Sequence, residues 1–465
     1  MIAILKPLSI ADFRWLFLGQ LVSLIGTGLT TVALALLAFD LNPSDAGLVL
    51  GFALAIKMVA YLTVAPVVGG YAHRLPRKAW LAGLNIGRAM LVGVLPFCDE
   101  VWQLFVVIFL LNALAAGYTP VYQALLPDIL PKEKEYTQAL SLSRLAMEME
   151  SLLSPALAAF LLLFVSYDLL FQLNSVAFLL ASIFLLLVSI PVSKGSDRSG
   201  GVWQHVSFGI KSYLRTPRLR GVLLLNLALS AAGAMIIVNT VVYVRAVLGL
   251  AEEMVPLLMV SAGVGSMIVA FMLPALLERF HDRSVMLAGG GVLSVSLFLG
   301  LLLGLLGPSY LGLFPLWFMI GVGSTMILIP TGRVVRNSCQ ESDRNDYFSA
   351  NFALTHGMWL VGYLLAGSLG STLGMEFTFV VLAAVALLAT VLAAVVWKQQ
   401  DHHELWHEHP EMDHLHPHYH DEHHQHEHEG WEGPEPHVHP HYHAKQKHRH
   451  KFVIDEHHAH WPKQH

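Results

Sequence analysis

Twelve apolar runs, each long enough to cross a bilayer as a helix, constrain this chain more than any other feature. Roughly 20 helical residues span about 30 Å of hydrocarbon. Runs of that kind lie near 13–39, 46–70, 79–97, 101–126, 137–165 and 168–190, then near 221–249, 255–277, 285–306, 310–331, 346–372 and 375–397. A helix satisfies its backbone hydrogen bonds within the segment, so such runs read as transmembrane helices. Over 465 residues, 55% are apolar and 13% charged, with a mean hydropathy of +0.57. Soluble domains carry roughly 25% charged residues, so an aqueous globular enzyme is excluded.

Lys and Arg orient the runs, because positive loops stay on the cytoplasmic side. Arg74, Arg77 and Lys78 follow the second run, Lys132 and Lys134 the fourth, and Lys194, Arg198, Lys211, Arg215, Arg218 and Arg220 fill the centre. Arg279 and Arg283 follow the eighth run, and Arg333, Arg336 and Arg344 the tenth. The alternate loops hold Arg245 among acids such as Asp40, Asp99, Glu100 and Glu376. Both termini are therefore expected in the cytosol, in a multi-pass protein of a bacterial-type inner (plasma) membrane. Residues 1–15 lack the pattern of a removable signal peptide. Cys98 and Cys339 imply no disulfide framework.

The two halves repeat at an offset of 208. VAPVVGGYAHR at 64–74 aligns with MLPALLERFHD at 272–282, pairing Pro66 with Pro274 and His73 with His281, and SPALAAFL at 154–161 aligns with GYLLAGSL at 362–369. Parallel repeats of this kind build one large class of secondary transporters, with the substrate site between the halves near the midplane. The expected architecture is an all-α membrane protein of twelve helices in two pseudo-symmetric six-helix halves. Its expected units are 1–193, a central loop 194–220, a second half 221–397 and a tail 398–465.

This arrangement, with a long central loop and GGYAHRLPRK after the second run, resembles the major facilitator superfamily. The resemblance implies a gating loop in which Gly69, Arg74, Arg77 and Lys78 match the family's pattern, while His73 replaces its Asp and Pro76 its second Gly. SPALAA at 154–159 is similar to the Gly-Pro signature of proton-driven exporters, with Ser154 for the Gly. KMVAYLTVAPVVGG, THGMWLVGY and a His-rich tail look like the NreB-type nickel-resistance exporters.

Residues 402–465 hold 22 of the 26 histidines. HLHPHYH at 414–420 recurs as HVHPHYH at 437–443, so His414, His416, His418 and His420 have counterparts at His437, His439, His441 and His443. In an extended chain alternate residues share a side, and Pro417 and Pro440 discourage helix. Imidazole suits nickel, zinc, copper and iron. With no Cys in the tail, Ni(II), Co(II) and Zn(II) remain as its expected partners. The tail is expected to be disordered before it binds metal.

Three ionisable residues lie deep in the runs: Lys57, Glu148 and His356, each 10 or 11 residues from one end, or roughly 15 to 17 Å. Such groups face a partner or a wet cavity and mark function. Glu148 and His356 are themselves 208 apart, hence equivalent. Glu150 lies about 200° around the helix from Glu148. The functional expectation is an exporter of Ni(II) and Co(II) by proton antiport: Glu148 and His356 bind metal and protons, Lys57 repels the cation or pairs with Glu148, and the tail captures metal. Alternatives are export of an organic drug or metal chelate under a metal-sensing tail, and a membrane-anchored metal store. No resident cofactor and no nucleic acid are expected, only the bilayer, protons and metal ions as partners of a monomer. No nucleotide-binding Gly-rich loop is present that would suit an ATP-driven pump.

Overall fold

The computed structural model describes residues 3–42, 46–71, 76–190, 201–251, 254–398, 404–409, 412–418, 437–443, 446–454 and 461; His73, Arg74 and His420 lie outside these. Among the described residues, eleven helices are long and apolar enough to cross a membrane. In the first half these are α1 (Ala11–Leu41), α3 (Arg77–Val94), α4 (Val101–Ile129), α5 (Glu133–Leu162) and α6 (Tyr167–Leu186). Helix α2 (Ala46–Tyr71), 26 residues with a single charge at Lys57, completes six.

The second half opens with a 31-residue rod, Pro217–Val247. It runs as α8 (Pro217–Ala234), then wide π-turns flanking the three residues of α9 (Thr240–Val242). There follow α10 (Val255–Arg279), α11 (Asp282–Leu306), α12 (Tyr310–Arg336), α13 (Arg344–Thr372) and α14 (Met375–Val396). The chain is thus the expected twelve-span bundle, with a belt of exposed apolar side chains, Phe52, Leu180, Phe298 and Leu388 among them. Lipid would cover such a surface.

Contacts within each half, such as α1 with α6 and α11 with α14, build two bundles. The halves meet along two seams, α2 against α13 and α5 against α10. The 208-residue offset carries the second span onto the eighth and the fifth onto the eleventh, so each seam is the other's counterpart.

Two regions differ from the sequence expectation. The central polar segment contains a helix, α7 (Val202–Arg215), whose buried residues His205, Gly209, Ser212 and Tyr213 fall on one face. That face packs on α13 and α2, and tertiary docking stabilises a helix too short to persist alone. The tail contains strands: β1 (Glu404–His409) pairs with β4 (Gln446–Lys451), and β2 (Met412–His418) with β3 (His437–His443). The two copies of the His repeat pair with each other antiparallel, a choice open to extended segments that share one alternation.

Candidate transport site

Glu148 sits at the α5–α10 seam. Its Oε1 is ion-paired with Arg144 one turn earlier on α5 and accepts a 2.7 Å hydrogen bond from Ser266 Oγ of α10. Arg144 Nε reaches the same Ser266 oxygen at 3.2 Å, and Ser266 shares a short hydrogen bond with Thr325 of α12. One carboxylate therefore joins α5 to two helices of the other half. Glu150 points elsewhere: its carboxylate lies with Ser154 beside Gly28 of α1, within its own half. The angular separation expected on α5 is realised, and Glu148 is the one facing across the seam.

His356 sits at the equivalent α2–α13 seam. Its Nδ1 is 2.7 Å from the carbonyl oxygen of Phe352. A carbonyl only accepts, so Nδ1 carries a proton, and in the neutral ring the lone pair is then on Nε2. The ring is packed between Phe352 (centroids 4.1 Å apart) and Tyr61 of α2 (4.8 Å, edge-on). Lys57 lies over the same Tyr61 ring, 5.6 Å from its centroid, a cation–π arrangement. Lys57 is thus grouped with His356, while the cation that pairs with Glu148 is Arg144. Among the described residues no hydrogen bond or ion pair joins Glu148 to His356, and no group of three or more His, Cys, Asp or Glu could hold a metal ion.

Arg88 is a further intramembrane cation that the sequence reading passed over. Its guanidinium lies 4.0 Å from the ring centroid of Phe178 on α6 and 5.9 Å from that of Tyr118 on α4, with Asn85 Oδ1 at 3.5 Å. Its place in the middle of the third apolar run was the available signal. The intramembrane asparagines divide: Asn174 donates to Thr30 across α6–α1 and Asn239 to the Ala366 carbonyl on α13, whereas Asn112 and Asn226 bond to their own helices.

At the end of the bundle where Arg and Lys concentrate, the halves are tied shut. Asp128, its side chain 5% exposed, pairs with Arg77 of α3 at 2.6 Å and with Arg344 at the start of α13. Arg333 of α12 binds Glu133 and Thr137 of α5 and Asp282 of α11, and Lys134 pairs with Glu278 of α10 at 2.7 Å. Gly69 packs so closely on Ser349 of α13 that a side chain there would overlap it. Lys78 is half-buried on the first turn of α3. Helix α7 fastens the same end: His205 Nδ1 is 3.0 Å from Asp346 of α13, Tyr213 donates to Asn351, and Gly70 of α2 abuts Val202.

Two halves meeting at equivalent seams around buried charge, closed at one end, are the frame of an alternating-access carrier. The Major Facilitator Superfamily model matches residues 16–306 and 223–433. The chain belongs to the Major Facilitator Superfamily. It is therefore a multi-pass membrane transporter and not an enzyme. The superfamily chain is 23% identical over 397 residues to YfiS of Bacillus subtilis (strain 168), an uncharacterized MFS-type transporter, covering 82% of this chain and 92% of that one. It is 24% identical over 184 residues to macrolide efflux protein A of Streptococcus pyogenes, covering 38% of this chain and 45% of that one. In fold it is similar to a bacterial homologue of the iron transporter ferroportin in an outward-facing state (TM-score 0.67, 20% identity, 83% of this chain and 98% of that one). It is likewise similar to the human organic anion transporter MFSD10 (TM-score 0.68, 14% identity, 82% and 99%).

Proposed function

We propose that this transporter exports divalent transition-metal ions, Ni(II) foremost and Co(II) with it, in exchange for protons. The observation that carries the proposal is the register of the tail ladder. His414 stands opposite His441, His416 opposite His439 and His418 opposite His437, with His443 opposite Met412. The register sets six histidine positions opposite one another along one ladder, and imidazole is a ligand type suited to divalent ions such as Ni(II) and Zn(II). Within the membrane, His356 with its Nε2 lone pair and Glu148 with its shared carboxylate are the groups that would take a metal ion or a proton. Each stands on one of two equivalent seams. They serve as successive seats rather than one joint site, and Glu150 stays within its half. The likeness of fold to a ferroportin homologue agrees with metal export, and the partial sequence likeness to a macrolide efflux protein agrees with efflux.

The second reading, export of an organic anion or a metal chelate, is favoured by a different observation: the spans hold three cations, Lys57 and Arg88 over aromatic rings and Arg144 paired with Glu148. Proteoliposome flux under an imposed pH gradient separates the two. Parent protein is expected to move Ni(II) and Co(II) in the direction opposite to protons running down the imposed gradient. Glu148→Gln should abolish the gradient-driven component, and His356→Ala should raise the half-saturating Ni(II) concentration about tenfold or more, as loss of a metal-site residue does. Flux that appears only when Ni(II) is supplied as an anionic chelate would discard the free-ion proposal.

A further inference from the structure

After the His-rich strands the chain comes back to the bundle. Residues 452–454, Phe-Val-Ile, are the one run of three consecutive apolar residues after 397, and they are 2%, 5% and 2% exposed. Phe452 and Ile454 form a small apolar cluster with Trp461, and the bundle holds it through the carbonyls of the triplet. The receptor is built from the first turns of two helices at the basic end. Arg218 of α8, itself buried, donates from Nη2 to the Phe452 carbonyl at 3.2 Å, and its guanidinium lies 5.1 Å from the ring centroid of Trp461. Phe452 meets Trp461 edge-on with centroids 5.1 Å apart. From α13, Tyr347, fully buried, donates its hydroxyl to the Ile454 carbonyl at 3.1 Å.

Tyr347 belongs to the gate. It follows Arg344, which holds Asp128 of the other half, and Asp346, which meets His205 of α7. We infer that residues 452–454, with Trp461, act as an intramolecular strap: they occupy a peptide-docking site on α8 and α13, brace the first turn of α13 in the closed arrangement, and must leave before the basic end opens. The β1–β4 ladder, in which Glu404 stands opposite Lys451, brings the strap's start back beside the first strand of the tail. This shortens the loop that docking must close and lowers its entropic cost. A tethered segment has a high effective concentration, so a weak, reversible contact is enough. The strap also closes the His-rich region into a loop held at the gate, and it works in the same way for any cargo.

The test uses full-length protein in lipid nanodiscs, with Cys98 and Cys339 changed to Ser and spin labels replacing Lys134 and Glu278. These residues are half-exposed and pair across the halves at 2.7 Å. The interspin distance distribution reports whether the basic end is open. Releasing the strap with Phe452→Ala plus Ile454→Ala should raise the long-distance population about fivefold, the shift that one net hydrogen bond can produce. Tyr347→Phe, which deletes only a hydroxyl, should raise it in the same direction. An excess of synthetic peptide spanning residues 451–461, added to the double variant, should restore the parent distribution, whereas the same peptide carrying both alanines should not. A distance distribution unchanged in both variants, or no rescue by the parent peptide, overturns the strap.

Discussion

At the residue scale, charge partners decide how the interior works. Glu148 is held by Arg144, its neighbour on the same helix face, and this leaves Lys57 to the aromatic pair Tyr61 and His356. Spacing on α5 was enough to place Arg144 and Glu148 together, because i,i+4 geometry is local. The grouping of Lys57 with His356 crosses the seam between halves, where spacing along the chain carries no information. Asp128 is the sharpest case. It is the shared counter-charge of Arg77 and Arg344, in a pair whose side chains are 6% and 5% exposed on the Arg77 side. Asp128→Asn should leave two cations without their anion. Removing one partner of a buried pair costs about 3–5 kcal/mol, so thermal unfolding in nanodiscs should move to markedly lower temperature, and Asp128→Glu should recover part of the loss. An unchanged midpoint for the Asn variant would show that the pair does not support the closed end.

At the scale of elements, close helix approach sets the bundle. Gly321 of α12 leaves no room for a side chain: a Cβ there would fall on the Ala262 carbonyl oxygen of α10. Small residues at membrane helix interfaces allow this approach. Gly321→Ala should therefore destabilise by about 1–3 kcal/mol, as overpacking does. Gly291→Ala on α11, where a Cβ meets nothing within 4 Å, should be neutral or slightly stabilising because Ala is the better helix former. The difference between their thermal midpoints checks the crossing. The twelve spans were legible in the sequence because a lipid-facing helix must be apolar along its length. Helix α7 was not, because it is short and polar on one side, and only its seat on α2 and α13 makes it persist. The pairing of the two His repeats was hidden for a related reason: each repeat shows its own alternation, but not which other strand it will meet.

At the scale of the whole molecule, the tail and the bundle are one object joined at both ends of the tail. Changing His414, His416, His418, His420, His437, His439, His441 and His443 to Gln, with residues 452–461 intact, should preserve maximal Ni(II) export from cells while raising the Ni(II) concentration at which export saturates. A metal store would instead lose all resistance, and retained or lost efflux distinguishes them. The amino-acid order alone determined that the chain is a twelve-span, internally repeated membrane transporter, and that Glu148 and His356 are 208 residues apart, the offset of the repeat. Those spans follow from hydrocarbon thickness and helical rise, which act along one segment at a time. Tertiary structure alone decided which distant group meets which: Lys57 with His356 across Tyr61, Asp128 with both arginines, and the returning Phe452 to Ile454 against Arg218 and Tyr347. These contacts join residues up to 234 positions apart, and only the packing of helices brings such distant groups within reach of one another.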